Sequence, residues 1–148
     1  DTVEAVTPPP ALRDRMAEIP DDRADVKVWS DWNTTDAGSL FTLAASDGAW
    51  ESTGVDGVEV RRLFVDRDNS RMTAMFRMAP GTSYVPHRHD GHEECFVLSG
   101  DLHVGTDIVM HAGDYQRAPA GSLHGRQWTE GGCTLLVSCS LDDEWVEE

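Results

Sequence analysis

Gly81-Thr-Ser-Tyr-Val-Pro-His87-Arg-His89-Asp-Gly-His-Glu93-Glu-Cys-Phe-Val-Leu-Ser-Gly100 places the imidazoles of His87 and His89 and the carboxylate of Glu93 within seven residues, bracketed by glycines. A later segment, Gly113-x5-Pro119-x-Gly121-x2-His124, supplies another imidazole. Residues i and i+2 of a strand share a face, so His87 and His89 converge on one point. Asp90-Gly91-His92 reads as a turn that sends the chain back past that point. Of the adjacent carboxylates Glu93 and Glu94, only one can then face it, because neighbours on a strand point to opposite sides. Three neutral imidazoles and one carboxylate suit iron, manganese, nickel, cobalt or zinc, with positions left for water or substrate. A lone H-x-H pair is common in cores and loops. The second segment turns the pair into a candidate metal site.

The 148 residues fit one domain with a core of useful size. No apolar run approaches the ~20 residues of a membrane helix, and no signal peptide is visible. Cys95, Cys133 and Cys139 are odd in number, which argues against a disulfide framework and for a reducing cytoplasm. The net charge of −15 opposes direct binding to nucleic acid. The acid-rich end, Asp142-Asp-Glu-Trp-Val-Glu-Glu148, reads as a solvated tail.

Residues 1–27 read as a Pro-rich linker. It contains Pro8-Pro9-Pro10 and a short helix over Ala11–Ile19, with Leu12, Met16 and Ile19 on one stripe and Pro20 as its stop. Residues 28–148 read as one β domain. Short apolar runs predict strands at Leu40–Ala44, Val58–Val65, Arg71–Met78, Cys95–Ser99, Leu102–Val104, Ile108–Met110, Tyr115–Ala118, Leu123–Trp128 and Cys133–Ser140. Asp66-Arg-Asp-Asn-Ser70 reads as a hairpin turn. Many strands without helices between them mean an all-β sandwich or barrel.

Strand parity sorts the side chains. If Glu93 points inward, so do Cys95 and Val97, while Phe96 and Leu98 face outward toward another sheet or a second subunit. Cys133, Leu135, Val137 and Cys139 share a face and read as core. Arg126 and Trp128 share the face of His124; Arg126 reads equally as an orienting group for an anionic ligand or as a paired arginine at the barrel mouth. Cys95 lies close enough to the candidate ligands to be a redox neighbour, although a buried inert thiol is the simpler reading.

The two segments, in this order and with Pro119 and Gly121 at these offsets, resemble the two motifs of the cupin superfamily. That resemblance implies a double-stranded β-helix, or jelly-roll barrel, with a short N-terminal extension and a metal inside. It selects Glu93, which leaves six residues before Gly100. It implies His87, His89, Glu93 and His124 as ligands to one divalent metal ion, zinc foremost, with iron, nickel or manganese as alternatives. Trp128 stands where the motif usually ends in Asn, which suggests a hydrophobic lid.

Residues 58–141 are similar to the cupin domain of ChrR-type anti-sigma factors. The similarity is carried by Val58-Glu-Val-Arg-Arg-Leu-Phe-Val-Asp, Met78-Ala-Pro-Gly-Thr-Ser-Tyr, the His87–Leu102 stretch, Gly113-Asp-Tyr-Gln-Arg-Ala and Ser140-Leu-Asp-Asp-Glu. The Pro-Pro-Pro-Ala-Leu-Arg-Asp-Arg-Met stretch resembles the linker behind a sigma-binding helical domain. The implied function is a sensory domain that answers an oxidative signal. Its partner would be a sigma factor, held through an N-terminal domain outside this sequence, and a homodimer is possible. The same ligand set also resembles non-haem dioxygenases that cleave a small diketone or hydroxyaryl ketone. Enzyme or sensor therefore stays open here, and no catalytic residue is assigned.

Overall fold

Apolar residues at alternate positions make β2 (Val58–Asp66), β3 (Arg71–Met78) and β11 (Cys133–Ser140) the wall on which the core is built. Val60, Met72, Ala74, Leu135 and Val137 all point into one buried cluster. The computed structural model describes residues 27–36 and 38–147. The other strands are β1 (Glu51–Ser52), β4 (Ser83–Tyr84), β5 (His87–Arg88), β6 (Glu93–Val104), β7 (Ile108–His111), β8 (Tyr115–Ala118), β9 (Leu123–His124), β10 (Gln127–Trp128) and β12 (Glu144–Trp145). One sheet runs β1-β2-β3-β11-β6-β10-β4, with β7 and β8 also paired to β6. A second, three-stranded sheet runs β12-β5-β9. The architecture is all-β, as the strand count predicts, and there is no α-helix among the described residues.

β6 joins the two halves of the molecule. Its first half pairs with β11 and β8, and its second half with β7 and β10. Gly100 sits at the bend with φ of +81°, and a Cβ there would lie 1.9 Å from the carbonyl of Gly132. Only glycine can turn the strand so close to a neighbouring backbone. The bend explains one difference from the sequence reading: Cys95–Ser99 and Leu102–Val104 belong to a single kinked strand, and the glycine between them is not a loop. Leu123–Trp128 divides the other way, into β9 and β10, with Gly125 and Arg126 between them.

Leu40–Ala44 is not a strand. Asp47 turns back to accept the Ala44 amide at 3.1 Å, and Arg61 donates to the Ala44 carbonyl at 2.8 Å. The backbone groups of Ala44 are therefore used by a turn, and Glu51–Ser52 takes the sheet edge beside β2. The hairpin at Asp66–Ser70 forms as read, with Asp66 opposite Arg71.

The chain enters the barrel through a 3-10 turn, Val28–Asp31, which drives Trp29 and then Trp32 into the core. Arg67, in the β2–β3 turn, donates to the carbonyls of Trp29, Ser30 and Trp32 and so pins this entry. A buried tryptophan removes about 150–250 Å² from water, so truncating Trp29 to alanine costs about 3–5 kcal/mol. Residues 1–26 of the expected linker, with the Ala11–Ile19 helix, fall outside the described residues. The carboxyl-terminal acidic run is no solvated tail: Asp143 is buried, and Trp145 pairs with His87 in the small sheet.

Candidate metal centre

β5 and β9 pair so that His87 lies directly opposite His124. His89, the residue after β5, keeps the alternation: His87 and His89 are buried and Arg88 between them is exposed. The backbone of His89 is held at both ends, its amide donating to Ser122 at 2.9 Å and its carbonyl accepting from Gly121 at 2.7 Å. Glu93 opens β6 and is buried, whereas Glu94 is exposed and accepts the Tyr115 hydroxyl at 2.8 Å. The frame is therefore the one with Glu93 inward. Ligand atoms of His87, His89, Glu93 and His124 all lie within 4.8 Å of one another.

The imidazoles pack edge to face, with centroids 4.5–5.1 Å apart. The neighbours behind two of the rings fix where their protons sit. His87 Nδ1 donates to the Val85 carbonyl at 3.0 Å, which leaves its Nε2 bare. His124 Nε2 donates to Gln116 Oε1 at 3.1 Å, which leaves its Nδ1 bare. Those two lone pairs face each other across 3.4 Å, and His89 Nε2 lies 3.0 Å from the same His124 nitrogen. Nitrogens bound at ~2.0–2.1 Å to one ion sit about 3.0 Å apart at right angles and about 3.4 Å apart at the tetrahedral angle. Glu93 completes the ring of donors, 3.5 Å from His124 Nδ1, 3.7 Å from His89 Nδ1 and 3.9 Å from His87 Nε2. Converging lone pairs and a buried carboxylate form a receptor for a cation, so the residues present fit a divalent metal.

The titration of the cluster has the same origin. Burial pulls His87 down to about 4 and, joined by the neighbouring His87 and His89 rings, pulls His124 down to about 3. Both imidazoles are neutral at pH 7, as candidate metal ligands must be. Burial and the charge of Asp143 push Glu93 up to about 7. His89 goes the other way: burial lowers it, but Asp143 and the Glu93 charge outweigh that and raise it.

His87 and Glu93 line a cavity of about 50 Å³, whose wall also includes Tyr84, Phe76, Trp145, Trp29 and Lys27. Gln127 lines it too. Trp128 is no lid: it is buried and stacked on His103 at 3.7 Å, because the interruption at Gly125 and Arg126 shifts the facing of β10. Arg126 is half-buried and does not line the cavity. Cys95 is buried with its thiol pushed up to about 12, chiefly by burial, so it stays protonated and inert. Cys139 also lies in the core beside Glu93 and Asp143, with its thiol raised well above the ordinary value by burial.

Two residues of the centre escaped the sequence reading. Gln116 faces Cys95 across β8 and β6, and a polar side chain at an inward position was its signal. Asp143 was hidden in a run of acids, where only the tryptophan two residues later marks a packed segment.

The sequence profile of the ChrR Cupin-like domain matches residues 39–140, well over half of the chain. No curated protein matches. Among solved structures, the chain is similar to an acetylacetone dioxygenase from Acinetobacter johnsonii, with TM-score 0.65 and 19% identity over 78% of this chain and 83% of that one. It is similar to the polyketide cyclase RemF from Streptomyces resistomycificus, with TM-score 0.60 and 20% identity over 74% and 87%. It also resembles a chain of the Rhodobacter sphaeroides complex of SigE with the anti-sigma ChrR, with TM-score 0.54 and 23% identity over 66% of this chain. It spans only about half, 51%, of that ChrR-complex chain.

Proposed function

The chain belongs to the ChrR Cupin-like domain family and has the cupin fold, and from that premise we propose that it is the metal-holding sensory domain of an anti-sigma-factor-like regulator. The observation that carries the reading is the buried set His87, His89, Glu93 and His124, intact in a chain of this family. These four residues would hold one divalent ion, zinc by the imidazole-rich donor set, with iron, nickel or manganese also suited. A bound divalent ion supplies Lewis acidity and fixed positive charge at the focus of the lone pairs. The residues around it hold the imidazole tautomers and keep bulk water out.

The cavity wall supports a sensor. Lys27 and Trp29, from the segment leading into the barrel, line the same cavity as His87 and Glu93. A change at the ligands therefore meets the chain that would lead back to a sigma-binding domain. The sigma factor would be the partner through that domain, in the cytoplasm, with an oxidative signal as the trigger. Phe96, Leu98 and Tyr115 remain exposed on the outer face of β6 and β8, where a second copy would dock to give a homodimer; light scattering on the purified chain tests this.

The deciding experiment uses the complete protein that carries this domain. Its cognate sigma factor should co-purify with it, leave on exposure to hydrogen peroxide, and stay bound in the His124→Ala variant. The metal-loaded chain should show no sustained oxygen consumption with acetylacetone or a hydroxyaryl ketone. Repeated turnover, abolished by His124→Ala, would replace the sensor with a non-haem dioxygenase.

A further inference from the structure

Two of the three imidazoles have a partner behind them, the Val85 carbonyl for His87 and Gln116 for His124. His89 completes no such bond: its Nδ1 is buried without a hydrogen-bond partner. The carboxylates near that nitrogen are Asp143 Oδ2 at 3.4 Å and Glu93 Oε2 at 3.7 Å. We propose that Asp143 is the positioning residue for His89, accepting a hydrogen bond from Nδ1–H so that Nε2 is presented to the metal. This rests on the metal-binding reading given above.

The assignment follows from what each group has left to offer. His89 Nε2 already points into the cluster, 3.0 Å from His124 Nδ1, so Nδ1 is the outer nitrogen of this ring. Glu93 faces all three imidazoles and is the only carboxylate among the four grouped donors, so it is drawn toward the ion. Asp143 has one oxygen already fixed, Oδ1 accepting the Asp90 amide at 2.9 Å, and Oδ2 is left for His89. The backbone beside them is locked as well, because Ser140 Oγ donates to Asp90 Oδ2 at 3.0 Å and accepts the Asp142 amide at 3.0 Å. With the backbone of His89 held by Ser122 and Gly121, ring rotation is the remaining freedom, and a carboxylate behind the ring selects one orientation. A buried carboxylate on the far nitrogen also makes the ligating nitrogen more basic.

The test is a zinc titration of the full chain, with the wild type, Asp143→Asn and Asp143→Ala compared. In Asp143→Asn the single carbonyl oxygen stays with the Asp90 amide, so an NH₂ group meets His89 Nδ1, donor against donor. Zinc affinity should drop about 10–100-fold in both variants. In zinc-loaded wild type, long-range ¹H–¹⁵N spectra should find the remaining His89 ring proton on Nδ1, and Asp143→Asn should displace that signal. A merely structural role would leave the tautomer unmoved. Zinc affinities within about twofold of wild type in folded variants would overturn the inference. So would a wild-type His89 that binds zinc through Nδ1, which decides the matter even if the variants fail to fold. A wild type that takes up no zinc at all removes the premise, and is told apart by stoichiometry before any variant is made.

Discussion

Among the described residues, buried histidines meet carboxylates in two places, and the two clusters behave in opposite ways. In one, His103 Nε2 donates to Asp101 at 3.1 Å and its ring stacks flat on Trp128 at 3.7 Å. Asp101 also accepts the amides of Glu130 and Gly131, each at 2.8 Å. Burial pushes Asp101 up, but those amides outweigh it and hold the carboxyl below its ordinary range. In the other, Glu93 faces three imidazole nitrogens at 3.5–3.9 Å and burial pushes it up to about 7. The first carboxylate is satisfied by the protein itself. The second faces the bare nitrogens of His87 and His124, whose lone pairs no protein donor satisfies, and that is what makes it a candidate cation site. Proximity of His and Asp or Glu is common to both; the direction of the free lone pairs separates them.

The strongest test of this contrast removes one histidine from each cluster. His124→Ala should weaken zinc binding by at least about 100-fold, since a ligand lost exceeds the effect of a supporting residue lost. His103→Asn should leave zinc stoichiometry unchanged and lower stability by about 1–3 kcal/mol in chemical denaturation. A loss of zinc in His103→Asn would erase the distinction.

Glu93→Gln should lose zinc yet make the metal-free protein more stable. A carboxyl raised to about 7 from an ordinary 4.5 favours the fold below pH 4.5, and that advantage disappears as pH rises through 7. At pH 8 the glutamine variant should therefore be the more stable, by up to roughly 3 kcal/mol, with the gap closing below about pH 5. Denaturation of metal-free protein at both pH values checks this. Asp101→Asn should show the reverse sign, a loss of about 1–3 kcal/mol at pH 7. Because Asp101 is depressed, that loss should fade as pH falls through the acid range.

The smallest effect is graded. Zinc must displace the protons that Glu93 and His89 hold, so affinity should fall as pH drops below 7, by about tenfold per unit for each proton displaced. Calorimetry in buffers of different ionisation heat counts those protons. A pH-independent affinity would mean that Glu93 is not among the ligands.

Strand alternation is a rigid rule and made His87 and His89 legible as a pair, whereas the choice of Glu93 over Glu94 and the addition of His124 came from the resemblance to the cupin motifs. The same rule placed Cys95 and Val97 inside and Phe96 and Leu98 outside, as burial bears out. It failed where the chain leaves the strand. The interruption at Gly125 and Arg126 broke the parity that linked Trp128 to His124. Gly100 divided two predicted strands because glycine so often interrupts one, whereas here a neighbouring backbone 1.9 Å from its absent Cβ makes the glycine a bend within a single strand. Asp143 lay among acids with no period to mark it. Leu40–Ala44 had the apolar pattern of a strand, but side-chain hydrogen bonds from nearby Asp47 and more distant Arg61 claimed the backbone of Ala44 first.

The aromatic wall of the cavity has an optical consequence. Trp145 Nε1 donates to the Tyr84 hydroxyl at 3.1 Å, Tyr84 stands edge-on to His87 at 5.7 Å, and Trp29 lies 6.5 Å from Trp145. Trp145 is thus two ring contacts from a candidate ligand and Trp29 three, and no dye is needed to watch it. Titration with paramagnetic cobalt should quench their emission steeply, zinc should shift it without quenching, and Trp145→Phe should remove much of the response. The barrel carries its own fluorimeter, set between the donor cluster and the segment by which the chain enters.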